Sequence, residues 1–112
     1  GGQPRHRRPA AAAFGMRIKW TGKASSDLVR LHEHLRPVAP EAAARVVQQL
    51  ARAPDRLLDY PRIGEKLDAY EPREVRRIIV CNYVLLYVIA DATIFILRLL
   101  YFFEERSFES DD

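Results

Sequence analysis

The chain has few of the residues from which recognisable chemistry is usually built. Cys81 is its single cysteine in 112 residues, which excludes an intrachain disulfide and any metal site made of several thiolates. That usage fits a reducing, cytoplasmic setting. Cys81 falls in a β-branched run and reads as a small core residue of a strand. Histidine is scarce as well. His32 and His34 are two positions apart, so on a helix they point to different sides and cannot share a metal. There is no glycine-rich phosphate loop, no HExxH and no GxSxG. Ser25 and Ser26 stand where a helix begins, a place explained by capping. Glu104 and Glu105 are adjacent and diverge, whereas glycosidase carboxylates need a fixed separation across a cleft. No catalytic residue, metal or cofactor is expected from these patterns.

Long apolar runs are limited to one, YVLLYVIADATIFILRLLYFF at residues 83–103. Its length would span a bilayer as a helix. Asp91 and Arg98 lie within it, however, and each charge at bilayer depth costs about 2.5–3.5 kcal/mol. Tyr, Val, Ile, Phe and Leu favour a pleated surface, and Ala90–Thr93 divides the run into two segments of strand length. The run therefore reads as an antiparallel hairpin, although its turn lacks an Asn-Gly or Asp-Gly pair.

The formal charge of +3 is located mainly at one end. Without Arg5, Arg7 and Arg8, 15 of the 18 Lys and Arg remain, equal to the 15 Asp and Glu. Residues 1–15 read as a disordered basic leader or an appended remnant. Residues 16–106 read as the folded domain, and 107–112 as an acidic tail. This balance is not the broad basic face of a nucleic-acid module.

Within the domain, Met16, Ile18 and Trp20 alternate with Arg17 and Lys19 as a half-buried strand. Thr21 or Ser25 is the expected cap of the next helix, with Asp27 in its first turn. Ala24, Leu28, Leu31 and Leu35 form the apolar stripe, and Pro37 ends the helix. A second helix follows Pro40, with Ala43, Val46, Val47 and Leu50 inward. Pro54 ends or kinks it, and DRLLDY adds a further helical turn. Pro61, Gly64 and Pro72 mark a loop, followed by the strand EVRRIIVC and the hairpin. The order β-α-α-β-β-β predicts an α+β domain, a helical hairpin packed on a small antiparallel sheet.

Both faces of that sheet are apolar. Strict alternation puts Ile94, Ile96, Arg98 and Leu100 on one face, with Phe95, Leu97 and Leu99 on the other. One helical layer covers only one face, so the other needs either a partner or the C-terminal segment. Arg73, Arg76, Arg77 and Arg98 are the arginines on or beside the sheet. Arg98, in an apolar strand, needs an acidic partner, a solvent edge or a ligand. Phosphate or RNA recognition is the functional role open to this set.

From Met16 to Arg106 the chain resembles the RelE/ParE superfamily of toxin–antitoxin toxins. The resemblance rests on IKWTGKASSDLVRLHEHL, PEAAARVVQQL, LLDYPRIGEKL, EVRRIIVCNYVLLYVIAD and TIFILRLL in that order. It implies a toxin that arrests growth and is neutralised by a cognate antitoxin protein, often in plasmid stabilisation. ParE-like members inhibit DNA gyrase by binding, while RelE-like members cleave mRNA on the ribosome using basic residues and a tyrosine. The sequence lies closer to ParE. Val84 replaces the arginine of the RNA-cleaving Tyr-Arg-Leu-Val-Tyr pattern. Tyr101 and Phe103 replace the usual histidine and arginine after the last strand of ParE-like chains. A ParE-like gyrase inhibitor is the leading expectation, with a RelE-like endonuclease and a non-toxic binding module as alternatives. Arg73, Arg76, Arg77 and Arg98 are the target- or RNA-binding candidates. Val84, Leu86, Ile94, Ile96, Leu100 and Phe102 are the antitoxin-interface candidates.

Overall fold

The computed structural model describes residues 15–102. Strand β1 (Arg17–Trp20) leads into helices α1 (Gly22–Leu35), α2 (Pro40–Arg52) and the short α3 (Asp55–Asp59). The two-residue strand β2 (Glu65–Lys66), a 3₁₀ turn (Asp68–Tyr70), and strands β3 (Glu74–Val80), β4 (Tyr83–Ala90) and β5 (Thr93–Tyr101) follow. The five strands lie in the order β1-β5-β4-β3-β2. The long apolar run is the β4–β5 hairpin expected from its residue types, and the helices cover one face of the sheet.

Four local features depart from the sequence expectation. The sheet is mixed, because β1 runs parallel to β5 with Ile18 opposite Ile94. No tight turn ties β1 to its neighbour, so nothing local sets its direction. Glu65 and Lys66 form a short extra strand against Arg77 and Arg76. Cys81 is exposed and sits with Asn82 in the β3–β4 turn, at φ of 52° and 68°. Two consecutive positive φ angles suit a two-residue hairpin with the strands' right-handed twist, and the alternation of EVRRIIVC does not encode that stop. Finally, Leu86 pairs with Arg98 but Tyr87 pairs with Ile96, so Leu97 is an extra residue in β5.

That bulge resets the faces of β5. A one-residue insertion moves every later side chain to the opposite face. Ile94 and Ile96 therefore share the helix-facing core with Leu99, and not with Leu100. They pack there with Leu85 and Tyr87 of β4, Ala24 of α1, Leu50 of α2 and Leu57 of α3. Trp20, Leu28, Leu31 and Val46 close the margins of this core.

Thr21 and Asp27 join α1 to the end of the sheet. β1 stops at Trp20, leaving the outer edge of β5 without a strand beyond Ile96. Thr21 caps α1 by accepting from the Ala24 amide, while its hydroxyl donates to the Ile96 carbonyl at 2.8 Å. Asp27 accepts the Leu99 amide at 2.9 Å, which satisfies a strand-edge donor with a side chain. Its carboxylate also receives Arg98 Nε at 2.8 Å and Nη2 at 3.1 Å, and Arg30 Nη2 at 2.7 Å. Asp27 is thus beyond the first turn of α1, with its side chain only 3% exposed. Burial alone would raise its pKa. The hydrogen bonds from Arg98 and Leu99, with the charge of Arg98 and the bond from Arg30, outweigh that and hold it below the ordinary carboxylate value.

At the other side of the sheet, Tyr87 fixes the loop before β2. Its hydroxyl donates to the Pro61 carbonyl at 2.8 Å and accepts the Gly64 amide at 3.0 Å. Burial raises the phenol's pKa, so it stays a donor throughout the neutral range. A side chain at Gly64 would meet the Tyr87 hydroxyl at 2.6 Å and the Arg77 carbonyl at 2.7 Å. Glycine is required there by close approach.

Two expected outcomes test these joints. Asp27→Asn keeps an acceptor but removes the charge, and should cost about 2–3 kcal/mol in urea unfolding, towards the lower end for breaking a buried pair. Because the folded-state pKa of Asp27 is depressed, its contribution is complete above the unfolded value of about 3.9 and disappears as pH falls through the lower folded value. Wild type should therefore lose this increment below about pH 4, and Asp27→Asn should not. Tyr87→Phe keeps the ring but takes this partner from the buried Gly64 amide and the half-buried Pro61 carbonyl, a cost of about 1–3 kcal/mol. Hydrogen exchange should show it as faster exchange of the Gly64 amide.

Candidate functional site

The four arginines singled out from the sequence do not form one cluster in the fold. Arg73 is exposed just before β3, and among the described residues no side-chain partner holds it. Arg76 and Arg77 alternate on β3. Arg76 lies on the helix-facing side, opposite Tyr87, while Arg77 lies on the other side, opposite Leu86. Arg98 is on β5 beside α1, at the Asp27 joint.

Most of this charge is directed at carboxylates and carbonyls of the chain. Glu74 receives both Nε and Nη2 of Arg62, at 2.7 and 3.0 Å, and Nε of Arg76 at 2.9 Å. The bond from Arg62 lowers the Glu74 pKa most; burial opposes it, and Arg76 adds to the lowering. Arg76 also donates to the Gly64 carbonyl at 2.7 Å and the Arg62 carbonyl at 3.2 Å, closing over the loop that Tyr87 pins from beneath. Arg77 pairs with Glu65 of β2 at 2.9 Å. Arg98 keeps a side-chain exposure of 35% while bound to Asp27. Such bidentate and shared pairs are the strong form of the interaction.

Sequence reading did not single out Glu74, Arg62 or Tyr87. Asp27 did carry a usable signal, because it lies three residues after Ala24 and four before Leu31, inside the apolar stripe of α1. A lone acid on a buried face calls for a cationic partner.

The interface candidates also divide. Ile94, Ile96 and Val84 are fully buried. The first two pair with Ile89 and Tyr87 beneath the helices and offer no surface in this conformation, and the Leu97 bulge separates them from Leu100, with which strict alternation grouped them. Val84 is on the second face, with Val75 and Val88 also buried there. Leu86, Leu100 and Phe102 are half-buried. The segment after Phe102, expected as the rival cover of this face, lies outside the described residues. A groove of about 530 Å³ runs beside the Asp27 joint, lined by Arg30, Leu31, His34, Leu35, Tyr83 and Tyr101 among others. Tyr83 and Tyr101 meet edge to face at its end, with ring centres 5.3 Å apart.

Among the described residues, no group of three or more His, Cys, Asp or Glu could hold a metal ion. No described helix is long and apolar enough to cross a membrane.

Comparison with known proteins agrees with this architecture. Residues 18–101 match the family model described as the ParE toxin of the type II toxin–antitoxin system parDE. The chain is 33% identical over 82 residues to Toxin RelE2 of Caulobacter vibrioides, a match covering 73% of this chain and 90% of that one. Among solved structures it is similar to a chain of the chromosomal ParDE toxin–antitoxin system from P. aeruginosa. The TM-score is 0.66 and the identity 26%, over 77% of this chain and 95% of the other. The family model runs from Ile18 within β1 to the end of β5 and so includes the helical layer described above. The chain belongs to the ParE toxin family of type II toxin–antitoxin systems, within the RelE/ParE superfamily.

Proposed function

We propose that this chain arrests growth as a ParE-like toxin that binds and poisons DNA gyrase in the cytoplasm, and that a cognate antitoxin neutralises it. Residues 16–106 are the working unit in this reading. The antitoxin lies over the second face of the sheet, against Leu86, Leu100 and Phe102. Binding chemistry is favoured over RNA cleavage by one observation above the others. Arg76, Arg77 and Arg98 are engaged by Glu74, Glu65 and Asp27, and so serve as ties within the fold.

The tyrosines support the same reading. Tyr87 is fully buried with its hydroxyl bonded to backbone on both sides. Tyr83 packs on Tyr101, and the intervening position of an RNA-cleaving pattern holds buried Val84. Among the described residues, no general acid or base stands free beside Arg76, Arg77 or Arg98, as phosphodiester cleavage at these arginines would require.

Expression of the full chain without antitoxin should stop bacterial growth with mRNA intact and gyrase supercoiling lost. Codon-phased mRNA cuts would favour the RelE-like endonuclease instead, and healthy growth with soluble protein would favour a non-toxic module. In an alanine series, Arg73→Ala should leave both arrest and stability unchanged. Arg76→Ala and Arg98→Ala should reduce arrest only as far as they destabilise the chain, by about 1–3 kcal/mol each for a lost charge-assisted hydrogen bond, since Glu74 keeps Arg62 and Asp27 keeps Arg30. Arrest lost at full stability in either variant would contradict a purely structural role for that arginine.

A further inference from the structure

The groove beside the Asp27 joint lies between the second half of α1 and the ends of β4 and β5. Leu31 and Leu35 of α1 and Leu99 of β5 supply its apolar lining, with Tyr83 and Tyr101 at one end. Tyr101 is 40% exposed there. The volume of about 530 Å³ falls in the range of sites that enclose a small ligand or a few side chains. The rim on α1 is basic. Arg30 gives one donor to Asp27 and keeps its side chain 67% exposed, so other donors of its five-donor guanidinium face solvent. Asp27 is shared with Arg98, which sets two guanidinium groups against one carboxylate. His34 follows one turn beyond Arg30 on the same rim.

The chain leaves the sheet at the mouth of this groove. The Phe102 amide donates to the Asn82 carbonyl at 2.9 Å, which ties the chain to the hairpin up to that residue, beside the Tyr83–Tyr101 pair. The residues that follow, FEERSFESDD, carry five carboxylates against one arginine, together with Phe103 and Phe108. An extended chain covers about 3.3 Å per residue, whereas the stretch of α1 from Arg30 to Leu35 is only about 8 Å long. Phe108 is therefore within reach of the whole lining. The sign of the charge matches as well, an acidic segment against a basic rim.

We infer that the groove is the seat of the chain's own acidic C-terminal segment, residues 103–112. Phe108 lies against Leu31 and Leu35, and the flanking Glu104, Glu105 and Glu109 face Arg30 and His34. This seat is on the helix side of the sheet, so the second face stays open to a partner. The second face suits the segment less, because its arginine, Arg77, is already matched by Glu65, and the surplus positive charge is on α1. A tether of a few residues gives the segment an effective concentration in the millimolar range, which favours its own groove over that of another copy. Once seated, the segment shields the apolar lining. It also sets negative charge over the Arg30–Asp27–Arg98 group, so that a polyanion is repelled from this end of the sheet. The inference holds whichever target the chain acts on.

The test uses the full chain, isotopically labelled and without a partner. Nuclear Overhauser contacts should join the Phe108 ring to the methyl groups of Leu31 and Leu35. Phe108→Ala should speed amide exchange across residues 104–112 by about tenfold or more, as for loss of a buried phenyl group, while the exchange of β4 and β5 stays as in wild type. His34→Glu places a like charge on the exposed rim and should also loosen the segment, and added salt should do the same in wild type. A synthetic peptide of residues 103–112, added to the Phe108→Ala chain, should shift the Leu31, Leu35 and Tyr83 resonances. Wild-type amides in 104–112 that exchange as fast as those of the free peptide would overturn the seat. Phe108 contacts with Leu86 or Leu100 would place the segment on the second face and overturn it equally. Contacts seen only between differently labelled chains in a mixture would assign the groove to the tail of a second copy, against the inference. None of these three results would touch the toxin–antitoxin reading.

Discussion

Asp27 holds the last strand of the sheet to the first helix, and much of the remaining geometry depends on that attachment. β1 has only four residues, so it leaves the outer edge of β5 uncovered from Leu97 onward. A bare strand edge beside a helix would leave a buried amide without a partner. Asp27 supplies an acceptor to Leu99 and a countercharge to Arg98 from the same carboxylate. A helical side chain thereby extends the ladder that β1 begins. Two charges are brought into a half-dry location by this arrangement, and it is favourable only because every lone pair of the carboxylate is used.

The opposite margin of the sheet uses the same device with a neutral group. Tyr87 rises from the centre of β4 and holds Pro61 and Gly64 from beneath, while Arg76 closes over the same loop from its carbonyl side. Glu74 then joins Arg76 to Arg62. Loop 61–64 is therefore bound by side chains of two strands, although it has almost no ladder of its own. Among the described residues, the Ile63 amide bonds to the Tyr60 carbonyl and not to β3.

These uses of arginine shape the functional reading. A basic residue in a small toxin is easily taken for a phosphate contact. Here three of the four candidate arginines close the fold on specific acids, and Arg73 stands apart from them. On the reading proposed above, recognition is by shape and apolar contact at the second face of the sheet. Family membership sets the toxin–antitoxin context, and the paired arginines favour a target that is bound over one that is cut.

Element types and order were legible in the sequence because they depend on local periodicity. The stripe from Ala24 to Leu35, Pro40 at the start of α2, and the β-branched halves of the 83–103 run each specify their structure within a few residues. The same local rule narrowed the cap to Thr21 or Ser25, and the fold uses Thr21. What only the tertiary structure decided was set by groups far apart in the chain. The Leu97 bulge depends on fitting β5 to β4 and α1 together, and it alone sends Ile94, Ile96 and Leu99 to one face. Cys81 became a turn residue because β3 and β4 must close in two residues with the sheet's twist. The parallel course of β1 and the pairing of Asp27 with Arg98 across 71 positions have no local signature. Residue pattern specifies which surfaces must be buried; only the packed chain determines what meets them.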